Sequence, residues 1–189
     1  MNGPAVSGPP WYDVETFIPT GFVLTDEGLF RCRKGNDLEW IADCCWVSTA
    51  TRGIDGTDAG CVICWVDPRS RGVKRLAIAN RRFYESGNAL VLQLADLGMQ
   101  IVPGVERALL KYLGSFRLPA SKVVMSASRL GWNRYESDRP VFVLPQRTIG
   151  IDVNRPQVVF QPKDQLANLS ALQVSGSLQN WQHHVVRRS

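Results

Sequence analysis

The chain has 189 residues, 44% hydrophobic and 21% charged, with a formal net charge of +5. These proportions suit one globular domain with a buried core and exclude a disordered or fibrous chain. No apolar run approaches the roughly 18–20 residues of a membrane span, and "MNGPAVSGPPWYD" has neither the basic start nor the apolar stretch of a secretory signal, so the expected location is cytoplasmic with no membrane partner.

Residues 1–18 are rich in Gly and Pro and read as a flexible leader. Residues 19–162 read as an α+β core domain, and 163–189 as a C-terminal segment. "FVLTDEGLFRCRK" (22–34) has apolar ends around Thr25-Asp26-Glu27-Gly28, the pattern of a β-hairpin with a Gly turn. "EWIADCCWVSTATRGID" (39–55) is rich in β-branched and aromatic residues and predicts one long strand. One face would carry Trp40, Ala42, Cys44, Trp46 and Ser48, and the other Ile41, Asp43, Cys45, Val47 and Thr49. "GIDGTDAG" (53–60) is a polar turn, "CVICWVDP" the returning strand, and "VKRLAIA" a third strand beyond the turn "PRSRG".

The period then changes from 2 to 3.6. Leu90, Leu94 and Leu97 share one helical face, and Gly98 can end that helix. A second helix is expected from near Pro103, with the stripe Val105, Leu109, Tyr112, Leu113 and Phe116. Strands return in "SKVVMSASRLGW" and "PVFVLPQRTIG", separated by the loop "NRYESDR" (133–139), and again in "QVVFQP" (157–162). "SLQNWQHHVV" (177–186) has a Ser N-cap ahead of Leu178, Trp181 and Val185 and predicts a short terminal helix. The expected fold is therefore α+β: small, mainly antiparallel sheets of short strands, two central helices and a short C-terminal helix.

Five cysteines, at 32, 44, 45, 61 and 64, make an odd set in a cytosolic chain and argue against a disulfide framework. Cys61-x-x-Cys64 has half the spacing of a zinc site, but on a strand its two sulfurs point to opposite faces. They are expected to be small buried hydrophobes, with no metal and no cofactor. No P-loop, H-E-x-x-H, G-x-S-x-G or dinucleotide fingerprint is present, and no residue is assigned a catalytic role.

Charge is more telling. Residues 66–82 hold Arg69, Arg71, Lys74, Arg75, Arg81 and Arg82 against the single Asp67, so this segment carries the whole net excess. It is either a solvated hairpin that keeps the protein soluble or a phosphate-binding surface. Farther on, Arg129, Arg134, Arg139 and Arg147 surround Trp132, Tyr135 and Phe142. Guanidinium groups interleaved with rings suit single-stranded nucleic acid, with Trp132 and Tyr135 as stacking candidates. The competing reading makes Trp132, after Gly131 at a strand end, a plug in the core, the commoner use of such an aromatic.

Gly131-Trp132, then "VFVLP", a turn and "TIG", together with "GLFR" (28–31), "CWVDP" (64–68), "LADLGMQIVPG" (94–104) and "SGSLQNWQ" (175–182), carry a resemblance over about residues 20–185. The chain resembles a domain-of-unknown-function family of phages and integrative elements that forms the N-terminal part of primase–helicase-like ATPases. The resemblance implies an accessory fold with no catalytic residues to transfer. It also implies a P-loop ATPase beyond "SGSLQNWQ", whereas this chain ends seven residues later at Ser189, so an excised domain or a shortened gene is expected. Two function classes follow. One is a nucleic-acid-binding module of a replication protein, with DNA or RNA (single-stranded above all) and a replicative ATPase as partners. The other is a free-standing inhibitor of a host CRISPR effector complex, of the anti-CRISPR type.

Overall fold

The computed structural model describes residues 10–35, 37–54, 56–135, 139–145, 148–149 and 158–162. The expected helix at 177–186 and the rest of 163–189 lie outside the described residues, as do residues 1–9.

A 3-10 turn at Tyr12–Phe17 leads into β1 (Phe22–Thr25), β2 (Gly28–Cys32) and β3 (Leu38–Ala42), an antiparallel sheet in that order. The β1–β2 turn is set by Thr25, whose Oγ1 accepts from the Glu27 N–H at 3.2 Å, and by Gly28 at φ 143°. Next come β4 (Cys45–Gly53), β5 (Gly60–Val66) and β6 (Val73–Ala79), an antiparallel meander. The chain then runs through a 3-10 turn at Asn80–Tyr84, α1 (Ala89–Asp96) and α2 (Glu106–Gly114). It returns as β7 (Val123–Ala127), on the far side of β4 and parallel to it. The hairpin β8 (Gly131–Tyr135) and β9 (Arg139–Val143) and the short β10 (Thr148–Ile149) form a third sheet, and β11 (Val158–Phe160) pairs in parallel with β7. The five-stranded sheet thus has the order β11-β7-β4-β5-β6. The fold is α+β, with small and mostly antiparallel sheets and two central helices; the two parallel pairings flank β7.

The single long strand expected over 39–55 is in fact two strands in different sheets. Asp43 breaks it. Its backbone N–H donates to the Gln100 carbonyl at 3.0 Å, and its carboxylate accepts from the Gln100 N–H at 2.7 Å. The Val102 N–H donates to the Ile41 carbonyl at 2.9 Å, and Ala42 bridges Ile101. Pairing with a segment nearly sixty residues away overrides local strand propensity. The break ends the continuous faces expected from Trp40 to Ser48; within β4 both faces are covered, so Cys45, Trp46 and Val47 are all buried.

The helices obey their stripes. Leu90 and Leu94 are buried on α1, Leu97 is half-buried, and Gly98 at φ 94° follows the helix end. Val105, Leu109, Tyr112, Leu113 and Phe116 are all buried along α2. The second helix starts at Glu106 rather than near Pro103, because Gly104 at φ 89° cannot continue a right-handed turn; Glu106 instead accepts from its N–H at 2.9 Å. Tyr112 donates its hydroxyl to the Cys45 carbonyl at 2.8 Å and packs against Phe22 and Phe116, each 5.1 Å between ring centroids. This locks α2 to β1 and β4 at once.

The opposite face of β4 is covered by Trp11 and Val14, with Trp11 and Trp46 centred 6.1 Å apart. Residues 11–17, read from the sequence as leader, therefore contribute to the core. The expected loop 133–139 is also shorter. Asn133, Arg134 and Tyr135 are strand residues opposite Val141, Pro140 and Arg139, leaving only 136–138 as the link. Behind this hairpin, Val141 and Val143 join Ala127 and Val158 in a second, smaller core cluster.

Two substitutions test this packing by chemical denaturation. Tyr112→Phe keeps the ring but removes the buried bond to Cys45, for an expected loss of about 1–2 kcal/mol. A Cβ on Gly60 would overlap the Ile78 carbonyl oxygen and meet Gln161 Oε1 at 2.6 Å and Thr51 Oγ1 at 2.8 Å. Gly60→Ala should cost about 3 kcal/mol through the forced strand shift.

Candidate functional site

The basic segment is the turn and second strand of the β5–β6 hairpin. Its one acid, Asp67, builds it. Asp67 Oδ1 accepts from the Arg69 N–H at 3.0 Å, and Oδ2 accepts from the Ser70 hydroxyl and pairs with Lys74 Nζ, both at 3.0 Å. The Asp67 N–H donates to the Gly72 carbonyl, and the Arg71 N–H to the Asp67 carbonyl. These contacts hold the Asp67 carboxyl down at about 2, the Arg69 N–H first and Lys74 next. The result is an ordered turn with arginines at its tip.

The six cations then divide. Arg69, Arg71 and Arg75 are exposed and make no side-chain hydrogen bond or ion pair with another described residue. Arg71 sits at φ 58°, the only described positive-φ residue that is not Gly, Asn or Asp. That conformation costs an arginine about 1 kcal/mol, which the Asp67 contacts hold in place. Lys74 is committed elsewhere: besides Asp67 it donates to the Leu97 carbonyl at 2.9 Å, placing a cation at the C-terminus of α1. Arg82 pairs with Glu85 and donates to Gln93 Oε1 at 2.9 Å, pinning the 80–84 turn to α1. Arg81 is exposed and lies past the far end of β6, about 20 Å of strand from the turn. The sequence's single basic cluster is thus two arginines on the turn, Arg75 two residues into β6, Lys74 and Arg82 with structural work, and Arg81 apart from the turn.

Arg129, Arg134 and Trp132 belong to a different place. They lie in or just before β8, beside β7 and β11, whereas β6 is the opposite edge of the five-stranded sheet. Three strand steps separate β6 from β7, about 14 Å. The turn 67–72 also lies at the sheet end opposite the β7 C-terminus, from which β8 departs. The two basic groups do not form one surface. Arg129 and Arg134 are both exposed. Trp132 is 71% exposed, so it is not the core plug that its strand-end position suggests. Glycine–aromatic spacing does not say which face of a strand is covered; here Val141 and Val143, not Trp132, face the core. Tyr135 ends β8 opposite Arg139, and its side chain, like that of Arg139 and all of Arg147, lies outside the described residues. Sequence reading missed Ile149, 45% exposed and paired with Phe142, and Tyr84, 88% exposed next to Arg81-Arg82. The signal for Tyr84 was the interleaved "NRRFY".

The cysteines do not gather. Cys61 sits opposite Ile78 and Cys64 opposite Arg75, on opposite faces of β5. Burial pushes the Cys44 and Cys61 thiols up to about 12, and raises Cys45 and Cys64 as well. Among the described residues no group of three or more His, Cys, Asp or Glu could hold a metal ion. None of their helices is long and apolar enough to cross a membrane. A shallow groove of about 370 Å³ between the 12–17 turn and the end of α2 is lined by Thr16, Phe22, Lys111 and Arg117 among others, with no reactive pair.

Two measurements check these assignments. Cys32 alone is exposed, so a thiol reagent should titrate one fast group in the native protein and all five after denaturation. Asp67 has a folded pKa of about 2, below the usual value near 4, so the folded state binds fewer protons than the unfolded chain between those values. Its contribution is complete above pH ~4 and is lost as pH falls towards ~2. Asp67→Asn should lower stability at neutral pH and flatten that acid limb.

No curated protein is similar enough to the chain to count as a match. Among solved structures the fold is similar to one titled "SCCmec type IV Cch - active helicase", at TM-score 0.52 and 16% identity. The likeness covers 89% of this chain and 30% of that one, so this chain spans less than a third of the helicase's length. The identity is too low to transfer residues; the shared fold is what it shows. The family described as Domain of unknown function (DUF927) matches residues 22–188, nearly the whole chain, and the protein belongs to that family.

Proposed function

We propose that the chain is a non-catalytic nucleic-acid-binding module of a mobile-element replication protein of the primase–helicase type. In this reading Arg69, Arg71 and Arg75 hold backbone phosphates. The observation that carries it is the β5–β6 turn. Its only acid is spent on building the turn, and Arg69, Arg71 and, just inside β6, Arg75 are left on the surface without a side-chain partner among the described residues. Arginine forks at a rigid tip suit phosphate oxygens, and the strained φ of Arg71 fits a side chain kept for its charge. The fold shared with a segment of a helicase supports this reading. In a longer protein the tip would guide a strand toward a motor domain.

Lys74 and Arg82 drop out of the proposed contact set, because Leu97, Asp67, Glu85 and Gln93 already occupy them. Arg81 stands apart from the tip along β6 and is a secondary contact in this reading.

The test is binding to single- and double-stranded DNA and RNA across a salt series. Wild type should show a steep fall of log K with log salt. Replacing Arg69, Arg71 and Arg75 with Ala should flatten that slope by about 2–3, at roughly 0.7–0.9 per lost phosphate contact, with the melting temperature retained. A folded triple variant with the wild-type slope would remove the turn from consideration. Lys74→Ala should instead act mainly on stability.

A further inference from the structure

We propose that the outer face of the β8–β9–β10 sheet is a stacking platform for unpaired nucleobases, centred on Trp132. The inference rests on the nucleic-acid reading above but uses a surface at the other edge of the fold.

Strand alternation builds the platform. Trp132 lies opposite Phe142, which lies opposite Ile149, so one cross-strand row spans all three strands. Arg134 and its partner Pro140 form the next row on the same face, and both are exposed. The reverse face is different: Val141 and Val143 are buried against Ala127 and Val158. Thr148 adds a bond from its hydroxyl to the Val158 carbonyl at 2.6 Å. The sheet is therefore anchored from behind and open in front.

Trp132 is 71% exposed yet held in place, edge-on to Phe142 at 5.2 Å between centroids and 73° between planes. Whichever ring presents its edge, such a contact leaves at least one face of the indole free, in keeping with its exposure, and restricts its rotation. A fixed ring with an open face is what a base requires for stacking, and Arg134 on the same surface supplies a cation for the adjoining phosphate. The described residues of these three strands carry no carboxylate; the acids nearest in sequence, Glu136 and Asp138, belong to the β8–β9 link. A protein partner would use the apolar row alone, whereas a single strand uses the exposed ring and the Arg134 cation together. Double-stranded DNA presents its bases edge-on and could not stack, so the platform selects single strands.

Bases and phosphates can be separated by experiment. Affinity is measured for a short thymidine oligonucleotide and for an abasic strand of the same length, across a salt series. Wild type should prefer the thymidine strand by about five- to a hundred-fold, the value of one stacked base. Trp132→Ala should bring that ratio close to one while leaving the salt slope and the melting temperature in place, and Trp132→Phe should keep part of it. The Arg69, Arg71 and Arg75 alanine variant should do the reverse, losing slope and keeping the ratio. A wild-type ratio of one with a steep slope overturns the platform, assigns its face to an apolar protein contact, and leaves the turn standing. So does a folded Trp132→Ala protein that keeps the wild-type ratio. A Trp132-dependent ratio with a slope the arginine substitutions do not change overturns the turn and leaves the platform. Failure to bind either strand overturns both.

Discussion

The clasp between Asp43 and Gln100 is the constraint on which the rest of the architecture depends. It ends β3, turns the chain into β4, and ties both to the segment between the helices. Asp43 is buried, and burial raises its carboxyl pKa, while the Gln100 N–H partly offsets that rise. A carboxylate in that position is tolerable only because a backbone donor meets it. Next to the clasp, the Cys44 carbonyl accepts from the Val66 N–H, and Asp67 follows directly. The switch between sheets therefore also sets the base of the basic hairpin.

From that base, charge is sorted by partner rather than by sequence position. Asp67 consumes Lys74, and the carbonyl at the end of α1 shares it. Glu85 and Gln93 consume Arg82. Glu39 takes Arg31 and Arg33, across β2 and beyond its end. Among the described residues, the cations without such a partner include Arg69, Arg71 and Arg75 on the β5–β6 hairpin and Arg129 and Arg134 at the opposite edge, beside scattered ones such as Lys34, Arg52 and Arg107. A net charge of +5 would not distinguish such an arrangement from an evenly solvated surface. The distinction lies in which cations already have a carboxylate or carbonyl.

The molecule also separates two chemistries that nucleic-acid binders commonly combine. The turn at 67–72 offers guanidinium groups without an aromatic partner in the turn itself, and the β8–β10 sheet offers rings with one arginine on their face. One lies at the β6 edge of the five-stranded sheet and the other on a separate sheet beyond its β7–β11 edge, with β4, β5 and β7 between. The separation is roughly 30 Å, about 26 Å along β4 and about 14 Å across three strand steps, which a flexible strand could span and a compact ligand could not. If the two proposed surfaces share one ligand, this spacing requires an extended polymer rather than a small molecule.

Local patterns alone determined the α+β class, both helical stripes, the β1–β2 and β5–β6 hairpins and the location of the charge excess. Each of these is written within a dozen or so residues: Val105, Leu109, Tyr112, Leu113 and Phe116 repeat at the period of a helix, and Gly28 sits where its turn needs a positive φ. Tertiary structure decided the rest. The break at Asp43, the parallel pairing of β7 with β4 and β11, and the burial of Trp11 and Val14 all depend on partners far away in sequence. So does the fate of each functional candidate. Lys74 and Arg82 are cations of the same segment as Arg69 and Arg75 and differ in their folded partners, Asp67 and Leu97 for the one and Glu85 and Gln93 for the other. Trp132 could face inward or outward on a strand of period 2, and only the core's choice of Val141 and Val143 turned it to solvent. Periodicity says that a strand has two faces; long-range packing says which one is covered.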